Sequence, residues 1–168
     1  MPCPMCQKKH PFTVEQALTS LAGTSRRLQR LAEKFSSKQA SARPAPDKWS
    51  AKEIICHLAD CELVYGMRYR KIVAERKPSL VPFDQDAWAG NLQYGRQPLK
   101  GSLATFLALR AGHLAMFKAL PKSAWNKKGQ HQEYGALSLK QLVVHIADHD
   151  RNHVAQVERL AAKRPSKK

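Results

Sequence analysis

Apolar residues recur at three- and four-residue steps in four separate blocks, the period of helices that bury one face. The first block carries Val14, Leu18, Leu21, Leu28, Leu31 and Phe35 and is expected to run to about residue 35, with Gly23 and Thr24 weakening its middle. Thr13 and Gln16 open it as a capping box, a pairing in which each side chain satisfies a backbone N–H that the helix start leaves without a partner. The second block reads Ile54, His57 or Leu58, Cys61, Val64 or Tyr65, Arg68 and Ile72. Ser50 and Glu53 form its capping box, and Trp49 is placed as a hydrophobic staple. It should end near residue 76, ahead of Pro78, because the residue before a proline disfavours helical backbone. The third block, residues 102–120, carries Leu103, Phe106, Leu107, Arg110, Leu114 and Phe117 and stops at Pro121. The fourth, residues 138–163, opens with a third capping box, Ser138 with Gln141. Its core seam is Leu139, Leu142, Ile146, His149, His153, Gln156 and Leu160.

Residues 36–48 (SSKQASARPAPDK) are small, polar and proline-bearing, the composition of a loop. Residues 77–101 contain three prolines, three glycines and several aromatics, which predicts an irregular but packed connection with a short helical turn at 84–91. No strong strand run and no internal repeat is present. A connection this long is uncommon inside a domain, and in a bundle it serves as a crossover that lets two successive helices run parallel. The predicted fold is therefore all-α: a four-helix bundle with a long crossover between its second and third helices.

Composition adds boundaries rather than chemistry. The 168 residues suit one domain with a core that needs no staples; residues 12–163 are assigned to the bundle, 1–11 to a flexible N-terminal segment and 164–168 to a basic tail. No window approaches the roughly 18–20 apolar residues of a membrane span, and the N-terminus lacks the apolar core of a signal peptide, so a cytoplasmic protein is expected. The formal net charge of +16 is spread along the chain. Without a zinc-finger, RNP-type or similar motif it reads as a basic surface and a solvated tail, and specific nucleic-acid binding is not expected. Cys3 and Cys6 form a CxxC followed by His10. That is either a redox pair or half of a zinc site, but a full site usually shows a second such pair. The segment is accordingly read as an untethered terminus with a fortuitous CxxC.

The chemistry lies in the fourth block. His149 and His153 are one turn apart and share a face, and two buried imidazoles without partners would carry a desolvation penalty. A catalytic site of the zinc type takes about three protein ligands and one open position. His57, inward-facing near the start of the second helix, is the natural third ligand. His145 lies one position off the seam and reads as a flanking residue or supporting donor. Cys61 is a rival ligand to His57, read here as a small buried hydrophobe. Gln156 is placed to orient a ligand or pack in the core, and Asp60 and Asp148 are candidate partners for imidazole N–H groups.

WSAKEIICHLADCE (49–62), FDQDAWA (83–89) and YGALSLKQLVVHIADHDRNHVAQVERL (134–160) together resemble the DinB/YfiT-like superfamily of metal-binding four-helix bundles, in that family's order and over nearly all of the chain. The resemblance implies a divalent metal held by one histidine of the second helix and an HxxxH of the fourth, here His57, His149 and His153. It also implies a homodimer. Activities in the wider family are thiol-cofactor-dependent transferases and isomerases, with many members described as metal-dependent hydrolases.

Two functions of different class follow. One is a metal-dependent enzyme, a hydrolase or a thiol S-transferase acting on a small molecule. Its cofactors are a divalent cation, with zinc or nickel ahead of iron or manganese, and a low-molecular-weight thiol. The other is a non-catalytic metal-binding or stress-associated interaction protein whose site is closed by a fourth ligand such as Cys61 or His145. No spacing rule selects a catalytic base.

Overall fold

The computed structural model describes residues 4, 5, 7, 10 and 12–162. In chain order the elements are α1 (Val14–Ala32), α2 (Ser37–Ser41), α3 (Ala51–Ala74), β1 (Ser79–Leu80), α4 (Gln85–Asn91), α5 (Leu99–Ala119), β2 (Lys128–His131), β3 (Gly135–Ser138) and α6 (Leu139–Ala162), with single 3₁₀ turns at Tyr94–Arg96 and Lys122–Asn126. The four long helices α1, α3, α5 and α6 are the four blocks of the sequence pattern. Both predicted capping boxes at α1 and α3 form, and Ser138 and Gln141 exchange the same pair of contacts at the start of α6. Cys3, Cys6 and the basic tail at 164–168 lie outside the described residues. Of residues 1–11, the segment expected to be flexible, Met5 packs against the apolar core.

Each long helix packs against two others: α1 on α5 and α6, and α3 on α5 and α6. Side-chain pairs give the directions. Cys56–Ser102, Glu62–Arg110 and Tyr69–Phe117 advance together along α3 and α5, so these two helices are parallel. His57–His153 and Tyr65–His145 advance oppositely, so α3 and α6 are antiparallel. The connection from α3 to α5 is thus the crossover that the sequence predicts, with α4 as its short helix, capped by the Asp84 carboxylate.

Two features depart from the sequence reading. Residues 36–48 are not loop throughout: Ser36 and Gln39 form a further capping box and start α2. Residues 79–80, 128–131 and 135–138 form a three-stranded sheet, β1 parallel to β2 and β2 antiparallel to β3. Its strands are too short for an alternating pattern to stand out. The sheet fastens the start of the crossover to the α5–α6 connection, and Leu80 and Leu137 carry it into the core.

Polar atoms occupy the middle of the bundle. Arg110 on α5, 2% exposed, donates through Nε and Nη2 to Glu62 on α3 (3.0 and 2.7 Å), through Nη2 to Asp150 on α6 (2.6 Å), and through Nη1 to the Leu21 carbonyl on α1 (3.2 Å). His113 Nδ1–H donates to Glu62 at 2.9 Å, and its Nε2 accepts from Arg70 at 3.1 Å. Nearby, Gly66 lets α3 approach this histidine, since a methyl there would lie 2.3 Å from His113 Nε2.

Two stability predictions follow from this contact. Arg110→Ala leaves two buried carboxylates without their cation, so urea unfolding should show a loss of about 3–5 kcal/mol. Gly66→Ala overpacks the α3–α5 contact and should cost about 1–3 kcal/mol in the same assay; an unchanged midpoint would show that the helices do not meet this closely.

Candidate metal centre

The buried stripe of α6 follows the 3.6-residue period of a straight helix rather than a strict heptad. It comprises Leu139, Leu142, Val143, Ile146, Ala147, Asp150, Val154 and Val157, with Val144 and Asp148 buried beside it. The expected seam drifts off this stripe after Ile146. His149 and His153 are therefore half-buried at its edge, and Gln156 is exposed. The drift places both histidines where a site borders solvent instead of at the centre of the core.

From α3, His57, 1% exposed, meets them. His57 Nε2 and His153 Nε2 each lie 3.1 Å from His149 Nε2. The opposite ring atoms are held by acceptors. His149 Nδ1–H donates to Asp150 Oδ1 at 3.2 Å, and His153 Nδ1–H donates to Gln156 Oε1 at 2.9 Å. Both Nε2 atoms then carry lone pairs. A proton on His57 Nε2 closes one of the two contacts, but with His149 and His153 both uncharged their contact would set lone pair against lone pair. A shared cation would relieve that repulsion. Nitrogens bound to one tetrahedral zinc-type ion at 2.0–2.1 Å stand roughly 3.3 Å apart, so the two 3.1 Å contacts of His149 match neighbouring ligands.

The surrounding charge favours a cation too. Arg110 carries one positive charge against the two negative charges of Glu62 and Asp150, and the hydrogen bonds of His113 are those of a neutral ring. One negative charge is left over in the buried set directly behind His149. Burial raises Asp150's carboxyl, yet neighbouring Arg110 and His149 bring it below the ordinary carboxylate value. Burial, then the adjacent imidazoles, push His57 down to about 2 and His153 down to about 4. These two rings offer lone pairs rather than bound protons at neutral pH. In the metal-free protein they favour unfolding as pH falls below 6.5, where the unfolded chain takes up protons that the folded chain refuses.

Cys61, one turn after His57, is nearer to this centre than the sequence indicates. Its Sγ lies 3.4 Å from His57 Nε2, and ligand atoms of His57, Cys61 and His149 all fall within 4.8 Å of one another. The expectation made Cys61 a rival to His57; the structure puts it beside both His57 and His149. Burial, reinforced by Asp150 and Glu62, raises its thiol well above the usual value. Absent a metal it is a neutral thiol.

The supporting carboxylates differ from those expected. Asp150, which the seam argument passes over, holds His149. Asp148 pairs instead with His10 and Arg151, and Asp60 accepts from the Tyr94 hydroxyl. Asp150 was legible only as an acidic residue within the 3.6-period stripe. His145 faces Tyr65 and His10, its ring centroid 6.4 Å from that of His149. Trp49 packs against the His57 ring at 4.9 Å. A cavity of about 560 Å³ borders the centre, lined by Trp49, Ile54, Lys48, His153, Gln156 and Arg159 among others.

Comparison with known proteins agrees with this architecture. The family profile of the DinB superfamily matches residues 20–157. A "Putative metal-dependent hydrolase" of Oceanobacillus iheyensis is 25% identical over 116 residues, covering 69% of this chain and 67% of that protein. A protein of the same description from Bacillus mycoides is 23% identical over 112 residues, covering 67% of this chain and 64% of the relative. The matched region thus spans about two thirds of these relatives' length. The solved structure of YfiT from Bacillus subtilis superposes with a TM-score of 0.82 at 19% identity, covering 92% of this chain and 91% of that one. It is described as a probable metal-dependent hydrolase with an unusual four-helix bundle topology, and the bundle fold is shared. On the family match, the chain belongs to the DinB superfamily.

Proposed function

We propose that this chain is a divalent-metal-dependent enzyme, a hydrolase or thiol S-transferase, whose ion is held by His57, His149 and His153. The observation that carries the reading is the close approach of the His149 and His153 Nε2 atoms, 3.1 Å apart, with both Nδ1 atoms committed to acceptors. The relatives described as metal-dependent hydrolases support it. Three neutral imidazoles suit zinc or nickel, and iron remains within the chemistry of the set. A bound ion of this kind acts as a Lewis acid and lowers the pKa of a coordinated water or thiol.

The protein's own residues set the remaining conditions. Asp150 fixes the tautomer and orientation of His149, and Gln156 does the same for His153. Trp49 and Ile54 supply apolar wall to the adjoining cavity, while Lys48 and Arg159 are matched there by Asp47 and Asp86, with Lys48 paired to Asp47. That combination fits a small molecule with an apolar part and polar groups, a low-molecular-weight thiol among them.

A second reading rests on Cys61. If its sulfur joins the three imidazoles, four ligands close the ion to substrate, as in structural zinc sites. Cys61→Ala separates the two: an open enzymatic centre keeps its metal and its activity, whereas a closed site loses affinity.

Two measurements test the main reading. Elemental analysis after reconstitution should show His153→Ala carrying one divalent ion fewer than wild type, with loss of turnover on a panel of ester, amide and thiol–electrophile substrates. Equal metal content in both proteins would remove the three-histidine site. Gln156→Ala, at an exposed position outside the core, should weaken metal affinity about 10–100-fold while leaving the unfolding midpoint of the chelated protein in place.

A further inference from the structure

Two arginines are buried among the described residues, Arg110 at 2% and Arg68 at 5% exposed. Arg110 is held by Glu62 and Asp150. Arg68, on α3, faces the start of the crossover and forms no ion pair with any carboxylate among the described residues. Its Nη2–H donates to the Val81 carbonyl at 2.7 Å, and its guanidinium carbon lies 4.8 Å from the centre of the Tyr65 ring. Its Nε–H is fully buried and has no acceptor. A buried charge without a counter-ion and a buried donor without an acceptor are both costly, and native structures leave few such groups unexplained.

The side chain opposite Arg68 sharpens the problem. His131, the last residue of β2, is 1% exposed, and its Nε2 stands 3.3 Å from Arg68 Nη2. Its Nδ1 accepts from the Glu133 backbone N–H at 3.2 Å, so the neutral ring carries its proton on Nε2. Burial, then the facing guanidinium, lower His131 from its ordinary value and keep that ring neutral. The N–H groups of Arg68 and His131 would then meet donor to donor. An oxygen placed against both would turn the contact into two hydrogen bonds. Tyr134 lies over the His131 ring, with centroids 4.7 Å apart and planes at 33°. Tyr134 and Val81, 40% and 63% exposed, bring the rim of this cluster to the protein surface. Glu133 is exposed and its charge acts on His131 and Tyr134, but it forms no ion pair with Arg68.

We propose that Arg68 and His131 form a binding site for the carboxylate of a small molecule, between α3, the start of the crossover and the β2–β3 turn. One carboxylate oxygen accepts from Arg68 Nη2 and His131 Nε2, and the other accepts from Arg68 Nε. This is the side-on bidentate pairing for which the planar guanidinium is suited. The charge matches as well: a carboxylate sets one negative charge against one positive, whereas a phosphate monoester carries about 1.5 to 2 at neutral pH. The rings of Tyr65 and Tyr134 lower the local dielectric, which strengthens both hydrogen bonds. Arg68 lies seven residues after Cys61, about 10 Å along the helix axis, so the site borders the histidine centre without sharing a donor with it.

The test uses the full chain, treated with chelator so that the histidine centre takes no part. Sodium acetate is the probe, and sodium chloride holds the ionic strength constant. Exchanging chloride for acetate should raise the urea midpoint of wild type and shift the Arg68 Nε–H signal in a nitrogen-15 NMR titration. Arg68→Met removes a buried charge that has no counter-ion, so its midpoint in chloride should equal or exceed that of wild type. Its midpoint should rise less in acetate than wild type's does, the remainder being the general effect of the salt. Arg68→Lys keeps the charge without the planar fork and should bind acetate about tenfold more weakly. In the same NMR titration, inorganic phosphate should saturate the Nε–H shift only at higher concentration than acetate. The proposal is overturned if acetate leaves the Nε–H signal in place, if Arg68→Met gains as much from acetate as wild type, or if phosphate is the tighter ligand. A midpoint lowered by Arg68→Met, with no acetate response in wild type, would also overturn it and mark the guanidinium as a structural brace.

Discussion

The interaction on which the rest of this molecule depends is the guanidinium of Arg110. Its hydrogen bonds reach Leu21 on α1, Glu62 on α3 and Asp150 on α6 from its own position on α5, so one side chain touches all four long helices. Burying a charge here is costly, and the cost is met only by the bidentate Glu62 contact and the Asp150 contact together. That requirement fixes how far each helix can slide past its neighbours. Because the other oxygen of Asp150 holds His149, the same contact that sets the bundle's register sets the orientation of a proposed metal ligand.

This coupling explains why the histidines gather at all. His57 lies five residues before Glu62 on α3, and His149 lies next to Asp150 on α6. Once Arg110 has drawn Glu62 and Asp150 together, antiparallel packing sets His57 across from His153, and His149, one turn back on α6, reaches both. The surplus negative charge of the Arg110 set then stands behind the imidazoles. The proposed cation between them would balance that charge, so the stability of the core and the proposed binding rest on one electrostatic arrangement.

Much of this was legible in the sequence because it rests on local rules. Four blocks of helical period, three capping boxes and a proline- and glycine-bearing crossover gave the bundle, and the His149-x3-His153 spacing on one face, with an inward His57, gave the three imidazoles that the fold brings together. What escaped depends on tertiary geometry. The heptad register put His149 and His153 at the centre of a seam, whereas the straight period of α6 moves them to its edge and buries Asp150 in their place. Asp148 was the more visible carboxylate, yet the helix turns it towards His10. The sheet was hidden because two- to four-residue strands carry no readable alternation, and its pairing joins segments about fifty residues apart.

The neighbouring carboxylates of α6 show how closely function can be packed on one helix. Asp148 and Asp150 are two residues apart, about 200° around the axis, and therefore serve opposite sides. Asp150 faces Arg110 and supports His149; Asp148 faces the N-terminal segment and supports His10. His145 and His149, a single turn apart, divide in the same way between Tyr65 with His10 and His57 with His153. An HxxxHxxxH run on a helix can thus be divided between two sets of ring contacts. His149 takes its acceptor from Asp150 and His153 from Gln156, so the neighbours along the helix, more than the place in the heptad, set how each of these two rings is oriented.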